Sequence, residues 1–272
     1  MSNLATQFLF VVVGIFLAAT ISNSSQAQTS STKASREAQL VARLQAADEE
    51  SRLNAATELG NLFRLTPEAM APATLAALSN ALQNDASPVV RALVARAFET
   101  TRDARALPAL LTALGREREI GVRKAIIYAL AHHPSPQATA ALLPLLNDKQ
   151  VEIRGLACYA LAETADPAAA NALLGVLQKW RNDEEGFARN QAARGLGRMG
   201  VTSTAITTQL VTALTSDKAP AVRRAAAHAL GQIGQKQDTV VIEALRTATL
   251  AADPYLSSEA TTALAQINAR AR

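Results

Sequence analysis

The chain has 272 residues, a formal net charge of +4 and 49 % apolar residues, but only 4 % of its residues are aromatic. We therefore expect a core of Ala, Leu, Val and Ile, whose small side chains let helices approach closely. The charge surplus is far below the dense basic stripe of a dedicated nucleic-acid binder. Three histidines and one cysteine, without a CxxC or HExxH motif, argue against a metal site, and no cofactor is expected.

The N-terminus carries an apolar run of 14 residues, 8–21, followed by small residues that suit a cleavage site before Gln28. A bilayer span takes about 20 apolar residues, so this length predicts a signal peptide over residues 1–27 and an exported protein, periplasmic or extracellular. Residues 1–7 contain no Lys or Arg, and an uncleaved N-terminal membrane anchor is the alternative. Residues 28–35 are polar and predict a disordered linker before a repeat region over residues 36–272.

One stretch, Asp217 to Gly234, recurs imperfectly along the chain. Its arginine, Arg223, aligns with five earlier arginines and with a final serine at intervals of 31–39 residues: Arg52, Arg91, Arg123, Arg154, Arg189 and Ser257. A period in this range is typical of an array of helical repeats. Stacked repeats share one continuous core, so we expect a single elongated body.

Each unit reads as a Leu-rich first helix, a turn, and a second helix that carries the arginine. Capping residues before proline predict helix starts at Thr66-Pro67, Ser87-Pro88, Ser135-Pro136, Asp166-Pro167 and Asp253-Pro254. Glycines after the second helices predict left-handed ends at Gly60, Gly200 and Gly234. Pro144 should kink a first helix. The stretch 180–186 lengthens one turn and reads as a solvated loop, with a binding loop as the alternative.

An acidic residue stands six positions before the arginine in five units, and A-x-x-A-L-G follows it in the clearest copies. With these elements the units resemble HEAT repeats of the short type found in phycobilisome lyases, over about residues 36–268. The resemblance implies an all-α, right-handed α-solenoid (α–α superhelix) of about seven helical hairpins. It also implies a structural ladder in which carboxylates and arginines bond within and between units: Asp85 with Arg91, Glu117 with Arg123, Asp148 with Arg154, Asp183 with Arg189 and Asp217 with Arg223. The first unit departs from the six-residue spacing, since Asp48 lies only four residues before Arg52.

A second column of side chains lies on the opposite stripe of the second helices. Positions −1, +3, +4 and +7 relative to the arginine are apolar and should face the core. Positions +1 and +5 should face outwards, and by resemblance they line the concave side. Two of the three tyrosines stand there between arginines, a mixture enriched at interaction surfaces. The predicted partner-binding residues are Arg96, Lys124, Tyr128, Tyr159, Arg194, Arg224 and His228; a merely solvated face is the alternative.

The sequence gives little indication of a catalytic site. Cys158 stands among apolar residues and reads as a buried small hydrophobe. His132 and His133 lie at a helix end, and the His-Glu dipeptides of the iron hydroxylases built on similar repeats are absent. We therefore expect a non-enzymatic scaffold or adaptor that binds a protein or peptide and touches a membrane only through an uncleaved N-terminus. The alternative by resemblance is a lyase-like subunit that binds a tetrapyrrole. Nucleic-acid binding, a weaker third option, would show as an affinity that collapses with salt.

Overall fold

The computed structural model describes residues 32–66, 69–101, 103–178 and 186–270, and within them it contains fourteen α-helices and no β-strand. The first helix, α1, covers residues 32–44. The others are α2 (Glu49–Leu65), α3 (Pro72–Asn84), α4 (Pro88–Thr100), α5 (Leu107–Arg116), α6 (Ile120–Ala131), α7 (Pro136–Leu142), α8 (Val151–Thr164), α9 (Ala170–Gln178), α10 (Phe187–Met199), α11 (Thr204–Ser216), α12 (Pro220–Ile233), α13 (Thr239–Thr249) and α14 (Pro254–Ala269). None of these helices combines the length and the apolar character needed to cross a bilayer.

The helices form two layers. Each even-numbered helix packs on the next even-numbered helix from α2 to α14, and the odd-numbered helices pack on one another along the other side. Consecutive helices form hairpins that connect the layers. The predicted α-solenoid of helical hairpins is therefore confirmed.

The core lies between the layers and is built as the periodicity predicts. In α12 the side chains of Val222, Ala226, Ala227 and Leu230 are completely buried. Small residues set the spacing of the even-numbered helices: a Cβ added at Gly197 would lie 2.7 Å from the Cα atom of Ala229. Alanine and glycine are therefore required where neighbouring even-numbered helices touch.

Most of the predicted helix starts are confirmed. The side chains of Ser87, Ser135 and Asp253 accept backbone N–H groups in the first turns of α4, α7 and α14. Asp166 does the same for a short 3₁₀ turn that precedes α9. The start at Thr66-Pro67 is wrong: α3 begins at Pro72, and Thr66 instead ends α2, where its N–H donates to the carbonyl of Leu62.

Gly200 and Gly234 end their helices as predicted, but only Gly200 has the predicted left-handed conformation, and the predicted end at Gly60 is wrong. Gly200 has a φ of 66° and ends α10 in the left-handed conformation. Gly234 has a φ of −63° and leaves α12 in an extended conformation, and Gly60 lies inside α2, which continues to Leu65. The left-handed residue after α8 is Ala165, with a φ of 50°.

Pro144 interrupts its helix as predicted. The α-helical hydrogen bonding of α7 ends at Leu142, and a 3₁₀ segment, Leu143–Asn147, continues to the next turn. Proline lacks the N–H that an α-helix needs at this point. The first helix of this unit is therefore short.

The structure corrects the boundary of the predicted linker. Residues 32–35 are the first turn of α1, while the predicted signal peptide and residues 28–31 lie outside the described residues. The ammonium of Lys33 lies 3.8 Å from the carboxylate of Glu37 and donates to the carbonyl of Ala69. Glu37 in turn accepts from the Thr74 hydroxyl at 2.7 Å and from the Ala71 N–H at 3.0 Å. These buried bonds to the second hairpin order a segment whose composition alone indicated disorder.

Candidate functional site

Four of the ladder arginines pair with carboxylates of the following unit. The ion pairs are Arg52–Asp85 at 2.8 Å, Arg91–Glu117 at 2.8 Å, Arg123–Asp148 at 2.6 Å and Arg189–Asp217 at 2.8 Å. Both oxygens of Asp217 accept from the guanidinium of Arg189, which is the bidentate geometry that fixes orientation most strongly. The ladder therefore joins neighbouring hairpins through side chains.

Three of the ladder arginines, Arg91, Arg154 and Arg223, bind a backbone carbonyl of their own unit. Nη1 of Arg91 donates to the carbonyl of Asp85 at 2.8 Å, and Arg154 and Arg223 donate to the carbonyls of Asp148 at 2.9 Å and Asp217 at 2.8 Å. The six-residue spacing between acid and arginine thus places the guanidinium on the turn of its own hairpin. Asp183, predicted to pair with Arg189, lies outside the described residues.

The first unit shows why its irregular spacing does not matter. Asp48 caps α2 by accepting from the N–H of Ser51 at 2.7 Å. Arg52 binds the carbonyls of Ala46 and Ala47 instead, and still pairs with Asp85 of the second unit. A carboxylate in its own turn is therefore not required for an arginine to join the ladder.

The ion pairs of the ladder also shift the pKa values of their side chains. Burial opposes the ionisation of Glu117, but the hydrogen bonds from Arg91 and from the backbone of Glu119 and Arg118 leave its pKa below the ordinary value. The hydrogen bond to Glu117 in turn raises the pKa of Arg91. Both groups are therefore charged at neutral pH.

Two of the predicted partner-binding residues meet in the structure. Tyr128 on α6 and Tyr159 on α8 have ring centroids 5.6 Å apart and an interplanar angle of 60°, an edge-to-face arrangement. Tyr128 remains 38 % exposed, while Tyr159 is half-buried. Burial, and next the charge of Glu163, raise the pKa of Tyr159, so its hydroxyl stays protonated.

Three predicted cations lie on the helix of Tyr128 or on the next helices of the even-numbered layer. Arg96 on α4 and Arg194 on α10 are exposed, and Lys124 on α6 is half-buried. None of the three makes an ion pair or a side-chain hydrogen bond to another residue that the structure describes. We call Arg96, Lys124, Tyr128, Tyr159 and Arg194 the tyrosine stripe.

The other two predicted partner-binding residues serve contacts between units. Nε of Arg224 lies 3.1 Å from the carboxylate of Asp253, and the guanidinium stacks 5.1 Å above the ring of Tyr255. Nδ1 of His228 lies 2.7 Å from a carboxylate oxygen of Glu259. Both side chains therefore join α12 to α14, and the structure does not bring them to the tyrosines.

Sequence reasoning missed Phe187 beside this stripe. Phe187 is 38 % exposed, and its ring lies across Gly155 of α8: a Cβ added at Gly155 would be 2.1 Å from a ring carbon. Gly155 precedes Tyr159 by one helical turn, so the phenylalanine extends the aromatic surface towards the start of α8. The sequence did contain a signal for this contact. Gly155 stands one residue after its ladder arginine, at the position that Lys124 and Arg224 occupy in other units, and a glycine there leaves room for a ring.

The histidines and the cysteine show structural roles. Cys158 is completely buried, as predicted. Nδ1 of His132 donates to the carbonyl of Tyr128, and Nε2 of His133 donates to the carbonyl of Phe98 at 2.8 Å. Within the described ranges no three His, Cys, Asp or Glu side chains are grouped closely enough to hold a metal ion.

We predict that mild acidification destabilises the protein through His133. It is 5 % exposed, and burial holds its pKa below the ordinary value, although the bond to Phe98 and the charge of Asp103 partly oppose this and His132 adds to it. The imidazole of the unfolded chain therefore binds a proton more readily than the buried one. The free energy of unfolding is unaffected above the unfolded pKa of about 6.5 and falls as the pH drops below it.

The measurement is the free energy of unfolding by urea at about pH 7.5 and about pH 5.5, where His titration dominates. We expect the wild type to lose stability at the lower pH, and His133→Asn to lose less. His132→Asn, which changes the exposed neighbour, is the matched control and should keep most of the wild-type difference, because burial and not the charge of His132 is the main cause of the lowered pKa of His133. An unchanged difference in His133→Asn would contradict the assignment.

Comparisons with known proteins agree with this architecture. A family profile of HEAT repeats matches residues 37–131, 113–185 and 175–265. A search of curated proteins found no match.

Solved structures are similar at low identity, which shows the fold alone. The complex of CpcE and CpcF of phycocyanin lyase from Nostoc matches at 22 % identity with a TM-score of 0.52, over 85 % of this chain and 92 % of that one. The YibA protein of E. coli matches at 18 % identity with a TM-score of 0.57, over 86 % and 81 %. An engineered protein matches at 24 % identity with a TM-score of 0.56, over 85 % and 68 %.

Proposed function

Because the chain belongs to the HEAT-repeat family, we propose that it is a non-enzymatic scaffold or adaptor that binds a protein or peptide across its stacked hairpins. The observation that carries this proposal is the tyrosine stripe. An edge-to-face pair of partly exposed tyrosines lies on adjacent helices, between arginines that no described residue neutralises. Tyrosine and arginine are the side chains most enriched at the energetic centres of interfaces.

The charges around the stripe support this choice of surface. Neighbouring exposed charges on the same layer bind one another, as Arg198 does with Glu163 and His228 with Glu259. Arg96 and Arg194 therefore differ from their neighbours in being available to a partner. The tyrosines supply rigid contact area with few rotatable bonds, and the cations fix the orientation of the partner.

The direct test is capture of the partner. The protein is used as bait against the fraction in which the native protein resides, and wild type is compared with Tyr128→Ala/Tyr159→Ala. The proposal expects one set of proteins to be retained by the wild type alone. The alternative, a tetrapyrrole-binding lyase-like subunit, expects instead a visible absorbance band that purifies with the chain.

We further propose that the scaffold works outside the cytoplasm. The apolar run of 14 residues is followed by Ala27, a small residue at the expected cleavage position. We expect the native protein to begin near Gln28, which N-terminal sequencing checks. An intact Met1 in a membrane fraction would instead support the anchored form.

A further inference from the structure

Charged side chains are almost absent from the central odd-numbered helices. Over their full lengths α3, α7, α9 and α11 contain none, and α5 contains one, Arg116, as its last residue. Each even-numbered helix from α2 to α12 contains at least two, and charged residues return in α1 and α13 at the two ends of the stack. We call the outward surface of α3, α5, α7, α9 and α11 the uncharged face.

The side chains on the uncharged face are small, neutral or half-buried. No residue of these five helices is aromatic. Each helix exposes a small or neutral polar residue, for example Asn80, Thr112, Ala140, Asn171 and Thr208. Between them lie larger apolar side chains that pack on the core with one side and stay half-buried: Leu75, Leu111, Leu143, Leu145, Leu174 and Val211. The face therefore offers apolar area together with neutral hydrogen-bonding groups.

This composition is that of the centre of an interface. A surface that is to stay in water needs about 25–35 % charged residues. Interfaces instead lose charged residues at their centre and keep a polar rim. The charged residues nearest to the uncharged face lie in the turns at its two edges, with Arg118, Glu119 and Lys149 at one edge and Asp103, Arg105 and Asp166 at the other.

The absence of charge favours a second copy of the same face as the occupant. Hydroxyl and amide groups both donate and accept hydrogen bonds, so groups such as those of Thr112 and Asn171 can pair with their own kind. The charged side chains of an ordinary protein surface would meet no opposite charge on this face, and burying an unpaired charge is costly. A symmetric contact between two copies brings no charge to its centre.

A lipid surface fits the uncharged face less well. Helices that lie on membranes present large apolar residues on one side and Lys or Arg on the other. The exposed residues of this face are small or polar, and Arg116 is the one cation within its helices.

The uncharged face also has the area that a stable dimer needs. Helices in contact lie about 8–10 Å apart, so five of them side by side extend over about 40–50 Å. Most of these helices have 9 to 13 residues, which is about 14–20 Å at 1.5 Å per residue. The face therefore covers about 700–850 Å², and a standard interface takes about 800 Å² from each partner.

We propose that two copies of this chain associate back to back through their uncharged faces. The even-numbered layers then point away from each other, so the dimer presents two tyrosine stripes to partners. Two binding surfaces on one particle raise the avidity for a partner that is itself multivalent. The dimer goes beyond the proposed function and does not depend on it, because the two surfaces lie on opposite sides of the hairpins.

The test is the mass of the protein in solution. Sedimentation equilibrium of the chain as the cell processes it should give a dimer whose dissociation is measured by dilution. Thr112→Glu/Asn171→Glu places like charges on both copies, and we expect the dissociation constant to rise at least about tenfold. Thr112→Ala/Asn171→Ala keeps the face uncharged and should leave the dimer intact.

The matched control introduces the same charges on the other layer. Thr57 and Thr262 are exposed on α2 and α14, and like Thr112 each donates its hydroxyl to the carbonyl four residues earlier. Thr57→Glu/Thr262→Glu should therefore remain a dimer with the wild-type dissociation constant.

A mixing experiment separates repulsion from misfolding. Thr112→Lys/Asn171→Lys should also be monomeric, and an equal mixture of the lysine and glutamate variants should form dimers again, because opposite charges then meet. A wild type that stays monomeric at every concentration would overturn the inference. So would a mixture that stays monomeric, or a control pair that dissociates as much as the glutamate variant.

Discussion

Replacing Arg189 with alanine should lower the free energy of unfolding by about 3–5 kcal/mol, because it strands a buried carboxylate. The side chains of Arg189 and Asp217 are only 3 % and 1 % exposed, and their ion pair joins α10 to the turn before α12. Asp217 would remain buried without its bidentate partner. Urea unfolding monitored by circular dichroism measures the change.

Two further variants determine whether the buried charge is the cause. Arg198→Ala in the same helix removes an ion pair with Glu163 whose side chains are 47 % and 31 % exposed, so we expect a cost of about 0–1 kcal/mol. Arg189→Met/Asp217→Asn removes both charges and should be more stable than Arg189→Ala, because no uncompensated ion remains. A double variant that is no more stable than the single one would show that lost packing, not the stranded charge, causes the effect.

Replacing both Tyr128 and Tyr159 with alanine should abolish partner binding. Truncation of a central interface tyrosine costs about 2 kcal/mol or more of binding free energy, and the pair lies at the centre of the tyrosine stripe. The folded state should lose only the edge-to-face contact and part of the burial of Tyr159, since Tyr128 is exposed. Affinity for the captured partner and the thermal midpoint are measured together.

Thr112 and Gln178 provide the control. Both are exposed on odd-numbered helices, and the hydroxyl of Thr112 bonds only within its own helix, to the carbonyl of Pro108. Thr112→Ala and Gln178→Ala should change neither affinity nor the thermal midpoint. A tyrosine double variant that binds normally would leave the stripe a merely solvated face, and one that unfolds would show that the tyrosines belong to the core.

The repeat itself, its two-helix unit and its core positions are readable from the sequence. The pattern that reveals them is local: a period of about 34 residues repeats the same apolar spacing, and residues at those apolar positions, such as Val222 and Leu230, are completely buried. Capping residues such as Ser87 and Ser135 act within one helical turn and are equally readable. The left-handed conformation predicted at Gly234 failed because this glycine instead allows a close approach: an added Cβ would lie 2.9 Å from Cδ1 of Ile267.

Contacts between units required the tertiary structure. Asp85 and Arg91 are neighbours in sequence, but Asp85 takes its side-chain partner, Arg52, from the preceding hairpin. Arg96 and His228 stand at the same outward position of their units, yet stacking places Glu259 against His228 and no described carboxylate against Arg96. The amino-acid sequence by itself determined the repeating hairpin and which positions are buried, because both follow from the apolar spacing within one unit. The register between neighbouring hairpins decides which charged side chains lack an ionic partner. It also places Phe187 against Gly155. Only the packed array defines this register.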